Sequence, residues 1–449
     1  MCRPGAGTIS LIDVENEESR RVFRSAVSLL IGEAVADEAA QALLRQLDYC
    51  DDQPELTRHR VALLQAAARF RRIFALRAPD APNLVVLGAE VDPREFGLAT
   101  GPAGHVAGTG LNFRQAFEAC VGEGVEYASQ FASGDDRMTF LAGDDALAGA
   151  PAAWRELWER LAPYRRRDRS TPTAWTDAAS LSDGESLRVP ADLCFRRPPD
   201  VRDLDPPWPL STGMGAGVDP LDATLHGLLE LVERDAVALW WRGGRPARIV
   251  ADAAGTAIIG HLRGELTHRR SWLLDITSDV GVPVVVAASC NNDGFGLCCG
   301  FAARMTRALA ADAAVREMAQ MELAYHLSDM KRQARGDASL SELDRQHIER
   351  FTRIDVRKTR ALSPVPPPGP PSVLADSHSK EVTLGLIRQS LERVGLSPCV
   401  VDQTHAAIGV PAVRTLCPGL EAGMTSPPGP RLCATASETG VDPIMAVPL

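Results

Sequence analysis

Residues 215–233 read Gly215-Ala-Gly-Val-Asp-Pro-Leu-Asp-Ala-Thr-Leu-His-Gly-Leu-Leu-Glu-Leu-Val-Glu233. An earlier stretch reads Gly108-Thr-Gly-Leu-Asn-Phe-Arg-Gln-Ala-Phe-Glu-Ala-Cys-Val-Gly-Glu-Gly-Val-Glu126, and the two align without a gap at an offset of 107. The shared frame is Gly-x-Gly, an apolar residue, Asn or Asp, an Ala, a Glu seven residues after the Ala, and a second Glu three later. A third segment keeps the later part of the frame with Thr306, Ala310, Glu317 and Gln320.

Each segment has the chemistry of a capped helix. Asn112, Asp219 and Thr306 are good N-cap types, able to accept from an orphan backbone N–H. Gln115 and Asp222 follow three residues on, the first at the capping-box position and the second favoured by the positive helix end. Pro220 suits a first helical position. Leu225, Leu228, Leu229, Val232, Ala236 and Leu239 form an apolar stripe. Glutamates three apart share a helix face, which pairs Glu123 with Glu126 and Glu230 with Glu233, and sets Glu317 beside Gln320. A single such pair reads as the solvated face of an amphipathic helix. Three pairs in register with a cap point to a shared site. Carboxylates gathered in a small volume need bound cations. Oxygen-only ligands select hard ions, Mg²⁺ before Ca²⁺, and Mg²⁺ commonly arrives with a nucleotide phosphate. The Gly108-x-Gly110 and Gly215-x-Gly217 pairs are placed to let backbone N–H groups approach an anion.

Composition narrows the function. Of 48 Lys+Arg residues only Lys331, Lys358 and Lys380 are lysines, and none follows a glycine. A P-loop, which needs Gly-Lys-Ser/Thr, is thereby excluded. The formal net charge of -10 and the lack of a basic tail speak against nucleic-acid binding. The longest apolar stretch, near Val282 to Cys290, is far below the roughly 20 residues a membrane helix needs. The first residues carry no apolar signal core, so a cytoplasmic protein is expected. Ten cysteines lie without a CxxC pair, which suggests neither a zinc site nor a disulfide framework. Adjacent Cys298 and Cys299 read as small buried apolar residues, and Trp240-Trp241 as the end of a packing face.

Residues 17–78 read as helical, with Arg69, Arg71, Arg72 and Arg77 on a solvated basic face. Asn83–Gly88 and Val282–Ala288 read as strands, the second rich in β-branched residues. Residues 170–212 read as a Ser/Pro/Asp-rich connection, and SPVPPPGPPS at 363–372 and TSPPGPRL at 425–432 as linkers. The expected architecture is mixed α/β (α+β). A helical N-terminal region spans 1–80, a catalytic domain 81–425 containing a Pro-rich linker at 363–373, and a tail 426–449.

Several blocks together resemble the YcaO superfamily. They are Ser211-Thr-Gly-Met-Gly-Ala-Gly217 with His226-Gly-Leu-Leu-Glu-Leu-Val-Glu-Arg-Asp-Ala-Val-Ala-Leu-Trp-Trp241, then Gly122-Glu-Gly-Val-Glu126 and Ala314-Val-Arg-Glu-Met-Ala-Gln320. The late blocks are Val401-Asp-Gln-Thr404, Ile408-Gly-Val-Pro-Ala-Val-Arg414 and Pro418-Gly-Leu-Glu421. The resemblance covers roughly residues 80–425. It implies a non-P-loop ATP-binding fold in which helix glutamates hold Mg²⁺ on the nucleotide phosphates. On this chain those are Glu123, Glu126, Glu230, Glu233 and Glu317, with Gln320 beside them. Arg234 is then a phosphate contact or a salt-bridge partner of a neighbouring glutamate, and Ser211 and Gly213 lie close to the nucleotide.

The resemblance further implies ATP-dependent activation of a backbone amide in a ribosomally made precursor peptide. The expected reaction is cyclodehydration to thiazoline or oxazoline rings, with thioamide or amidine formation and a non-catalytic partner role as alternatives. Two departures from the family pattern matter. Thr109 stands where relatives carry a basic residue, and His105, Arg114 or a distant arginine is the candidate replacement. The C-terminus lacks the proline-alternating tail of azoline-forming relatives, although the Leu449 carboxylate could still enter the site. No winged-helix pattern is read in the first 80 residues, so a separate leader-binding partner is expected. A separate flavin dehydrogenase is expected as well, and a homo-oligomer is open.

Overall fold

The computed structural model describes residues 17–49, 54–98, 101–168, 170–250, 253–365, 379–424 and 426–444. The described residues open with three helices, α1 (Glu17–Leu30), α2 (Glu38–Leu47) and α3 (Pro54–Ala67). They lead into β1 (Arg72–Leu76), β2 (Val85–Val91), β3 (Gly104–Gly110) and α4 (Phe113–Ser129). Next come β4 (Thr139–Leu141), α5 (Gly143–Ala146), α6 (Ala152–Arg160), β5 (Thr173–Ser180) and β6 (Ser186–Pro190). The central part holds β7 (Met214–Ala216), α7 (Pro220–Trp241), β8 (Arg248–Ile249), α8 (Ala253–Arg263), β9 (Arg269–Asp275), β10 (Val284–Asn291), β11 (Cys298–Ala303) and α9 (Arg307–Arg335). Then follow α10 (Glu342–Arg353), α11 (Lys380–Arg393), β12 (Cys399–Asp402), β13 (Ala412–Leu416) and α12 (Pro430–Thr439).

The strands form three antiparallel sheets, β1-β2-β3, β11-β10-β9-β8 and β4-β5-β12-β13-β7, with β6 paired to β5. This is the mixed α/β architecture expected from the sequence. Each repeat segment is a strand–turn–helix unit: β3 leads into α4, β7 into α7 and β11 into α9. The caps hold as read. Asn112 accepts from Gln115 N–H at 3.0 Å, Asp219 from Asp222 N–H at 2.7 Å, and Thr306 from Leu309 N–H at 3.3 Å. The side chains of Gln115 and Asp222 reach back one residue further than a capping box, to the N–H of Leu111 at 3.0 Å and Val218 at 3.1 Å.

Three readings of local structure change. Residues 72–76 are strand, not the end of a helix. The chain turns after Ala67, and Arg72 through Leu76 pair with Glu90 through Val86 of β2. Arg71 consequently lies beside Glu90 and Asp92 rather than on a solvated helix face. The stretch 170–212 contains the β5–β6 hairpin. Thr173-Ala-Trp-Thr176 carries β-branched and aromatic side chains that suit a strand, and Trp175 is fully buried. Finally, Pro430 and Arg431 of the second linker open α12, with proline at the helix start. Of the Pro-rich linker 363–373, residues 366–373 lie outside the described residues, as does Leu449.

The helical N-terminal segment does not stand apart. Phe23 of α1 stacks on Phe117 of α4, with ring centroids 6.1 Å apart, and α1–α3 share one apolar core with α4 and the β1-β2-β3 sheet. A second core lies around α7, β9, β10 and β11, where Trp240 is fully buried with its indole N–H on the carbonyl of Ala361 at 2.9 Å. Cys298 and Cys299 are buried free thiols on β11, as the sequence suggested. Arg431 of α12 bridges the fully buried Asp235 of α7 at 3.0 Å and Asp279 at 2.6 Å, which fastens the last helix to the middle of the chain.

Candidate functional site

The glycine pairs explain how the helices come so close to their strands. A Cβ on Gly108 would overlap the backbone of Cys120 and Ala116, and one on Gly215 would overlap the carbonyl of Ala223. Gly300 meets Ala314 and Met318 of α9 in the same way. The anions that strand N–H groups reach are therefore the protein's own carboxylates. Gly213 N–H donates to Glu230 Oε2 at 2.9 Å, Ala216 N–H to Glu126 Oε1 at 2.8 Å, and Phe301 N–H to Glu317 Oε2 at 2.7 Å.

Glu123, Glu126, Glu230, Glu233, Glu317, Gln320 and Arg234 all line one cleft of about 520 Å³ between α4, α7 and α9. Arg234 Nη2 is 3.3 Å from Glu230 Oε1, and its Nη1 is 3.8 Å from Glu233 Oε1. Both carboxylates of its own helix thus hold it, as a salt-bridge partner would be held. Burial works against its charge, but Glu233, Glu230 and Glu317 together raise its pKa.

The carboxylates carry the cost of their crowding. Glu233 is 7% exposed, and burial pushes its carboxyl up to about 8, a rise that Glu317 and Glu230 reinforce against the pull of Arg234. Enclosure in the cleft, with Glu230 and Glu317 nearby, pushes Glu123 up to about 7. The Glu123 side chain is itself exposed to the cleft. Glu126 and Glu317 are also raised, in each case first by burial. Carboxyls held out of their ordinary range by burial and one another are a fit for divalent cations, which remove the repulsion that protons otherwise relieve. The groups do not close into a cage. Among the described residues, no three His, Cys, Asp or Glu side chains are grouped tightly enough to hold a metal ion by themselves. That suits Mg²⁺, which takes one or two carboxylates and completes its shell with phosphate oxygens and water.

Ser211 and Gly213 do not line this cleft. Ser211 is exposed in the turn before β7, and its carbonyl accepts from Met214 N–H. Gly213, at φ +83°, is packed against Thr415, whose N–H and hydroxyl both donate to its carbonyl. Neither His105 nor Arg114 supplies a cation beside Thr109. His105 is exposed on β3, and Arg114 faces Asp48 at 3.3 Å. The cations that accompany Arg234 in the cleft are Arg304 and Arg316. The sequence reading missed both, together with His59 and Glu118. Arg316 carried a signal, since it immediately precedes Glu317 in the third repeat segment. Among the described residues, no helix is long and apolar enough to cross a membrane.

Residues 107–421 match the family described as YcaO cyclodehydratase, ATP- and Mg²⁺-binding. An uncharacterized protein in the tfuA 3′ region of Rhizobium leguminosarum bv. trifolii is 29% identical over 282 residues, which cover 56% of this chain and 62% of that protein. The chain therefore spans less than two thirds of that relative's length. Among solved structures, a heterocyclase in complex with substrate and cofactor is similar at a TM-score of 0.60 and 22% identity, over 79% of this chain and 50% of that one. The YcaO from Methanopyrus kandleri bound with AMPPCP and Mg²⁺ is similar at a TM-score of 0.55 and 22% identity, over 79% of this chain and 86% of that one. The glutamate frame, the fold and the match across 107–421 lead to one conclusion: the chain belongs to the YcaO cyclodehydratase family, with ATP and Mg²⁺ as its cofactors.

Proposed function

We propose that this protein is a cyclodehydratase that forms thiazoline or oxazoline rings in a ribosomally made precursor peptide. The observation that carries the reading is the convergence of Glu123, Glu126, Glu230, Glu233, Glu317 and Gln320 on one cleft with Arg234, Arg304 and Arg316. In this reading the glutamates hold Mg²⁺ on the nucleotide phosphates, and the arginines take the place of the absent lysine. A Cys, Ser or Thr side chain of the peptide attacks the preceding carbonyl, and the oxyanion that forms takes the γ-phosphoryl of ATP. Loss of phosphate leaves the ring. The chain's contribution is positioning and neutralisation of the transferred charge. An intact carboxylate set favours a catalytic subunit over a non-catalytic partner.

The catalytic domain is proposed to span residues 81–425, preceded by the helical region and followed by the tail. A leader-binding partner and a separate flavin dehydrogenase complete the proposed cytoplasmic pathway. The deciding experiment is the mass of candidate precursor peptides, drawn from the genes neighbouring this chain's own, after incubation with ATP, Mg²⁺, this protein and any candidate partners found there. Loss of one water per modified residue is expected. Exchange of oxygen for sulfur would replace the reading with thioamide formation, and an unchanged mass would replace it with an accessory role.

A further inference from the structure

The proposed reaction must remove a proton from the attacking side chain, and none of the cation-binding carboxylates is free to take it. His226 is differently placed. It lies on α7 four residues before Glu230, so it shares the helix face that lines the cleft. Its Nδ1 is 2.8 Å from the carbonyl of Ala216. A carbonyl only accepts, so this contact puts the ring proton on Nδ1 and leaves a lone pair on Nε2. Nε2 has no hydrogen-bond partner among the described residues, and the side chain is exposed. We propose that His226 Nε2 is the proton acceptor for the nucleophile. The proposal rests on the cyclodehydratase reading above.

The other titratable groups of the cleft are less suited. His59 of α3 is largely buried, its Nδ1 has no partner, and burial lowers its pKa. Asp222 is held by Val218 N–H at 3.1 Å and by Lys380 at 3.1 Å. Glu118, Glu123 and Glu126 of α4 line the same cleft, and Glu230 follows His226 on α7. Arg304 and Arg316 line the α9 side. The balance of the step is complete. The S–H or O–H proton moves to Nε2 as the C–S or C–O bond forms and the carbonyl π pair becomes the oxyanion. That oxygen bonds the γ-phosphorus and ADP departs. Cleavage of the C–O bond releases phosphate, and the amide N–H proton is lost as the C=N bond forms. His226 then returns its proton to solvent through the open cleft.

The test uses the full chain with the same precursor peptide and partners, measuring water loss against pH for wild type, His226→Gln and His226→Asn. Roughly a 10²- to 10⁴-fold lower cyclisation rate is expected in both variants, the range of general base catalysis. Measured at Mg²⁺ and ATP concentrations that saturate at every pH, the acid limb of the wild-type profile should vanish in both, and added imidazole should restore part of the rate. AMPPCP affinity measured with Mg²⁺ should stay within about threefold, as for a side chain that makes no metal contact. A variant rate within about threefold of wild type, or a lower rate that keeps the acid limb, overturns the assignment. Absence of water loss with the wild-type protein overturns the cyclodehydratase reading itself, and this assignment with it.

Discussion

The backbone N–H of Ala216 donates to Oε1 of Glu126 at 2.8 Å, joining the strand of the second repeat unit to the helix of the first across ninety residues. The carbonyl of the same residue receives His226 Nδ1. One peptide strand thus orients a carboxylate on one wall of the cleft and an imidazole on the other. Glu230 and Glu317 instead take N–H groups from their own units, from Gly213 in the turn before β7 and from Phe301 of β11. Glu126 is the carboxylate that ties two units together.

Glu126 therefore has separable structural and chemical roles. In Glu126→Gln the amide oxygen still accepts from Ala216, so the fold should be retained while the charge is lost. In Glu126→Ala the Ala216 N–H is left without its partner, at a cost of about 1–3 kcal/mol. Urea unfolding should distinguish the two variants, and peptide-dependent ATP hydrolysis should be lost in both. Equal unfolding midpoints would show that the hydrogen bond contributes nothing to stability.

Glu230→Gln or Glu233→Gln should abolish peptide-dependent ATP hydrolysis, by at least roughly 100-fold, the scale on which preorganised charge acts. Without metal and above about pH 8, Glu233→Gln should melt no lower than the wild type, because there it removes a buried negative charge from a crowded site. Hydrolysis assays and melting curves in chelator check both parts. Full activity in either variant is incompatible with glutamate-held Mg²⁺.

The raised carboxyls set a pH dependence whose sign can be worked out. In the unfolded chain Glu233 ionises near its ordinary 4.5, whereas in the fold burial holds it protonated up to about 8. Across that window the folded chain binds more protons than the unfolded one, so the metal-free protein loses stability as pH rises. The slope is at most about 1.4 kcal/mol per pH unit for one such group. Mg²⁺ competes with those protons, so it should raise the melting temperature little at about pH 5 and progressively more towards about pH 8, releasing protons as it binds. A Mg²⁺ effect independent of pH would contradict the burial of these groups. Melting scans at fixed ionic strength provide the measurement.

Two glycines provide a contrast in packing. Gly215→Ala would force a methyl into the Ala223 carbonyl, which is backbone and cannot swing away. A loss of about 3 kcal/mol or more, or failure to fold, is expected. Gly122 is inside α4 and has nothing within 4 Å of an added Cβ. Gly122→Ala should stabilise by about 0.5–1 kcal/mol, the ordinary gain of removing a helical glycine. Chemical denaturation of the two variants side by side decides it.

The helices of the site were legible because their information is local. A cap, a proline at the first turn and glutamates three apart define the start and face of α7 without any knowledge of its neighbours. The β1 strand was not legible, since Arg72 through Leu76 have helix-compatible composition and become a strand only by pairing with β2. The hairpin inside 170–212 was hidden by its Ser, Asp and Gly turn residues. Arg304 and His59 enter the cleft through tertiary packing of β11 and α3, which no spacing rule encodes. A glycine pair suggests an opening for an anion, whereas here it lets strand and helix come into contact.

The close seating of strand on helix also limits how the site can change. Between Gly215, pressed on Ala223, and Glu230, bonded to Gly213, the chain is fixed at both ends of a cap and two helical turns. One residue inserted after Ala223 would rotate every later side chain by about 100° and advance it by about 1.5 Å. His226, Glu230, Glu233 and Arg234 would leave the cleft together. The segment can exchange side chains one at a time but cannot change length, so insertions and deletions in this lineage should collect in the connections outside the three strand–helix units.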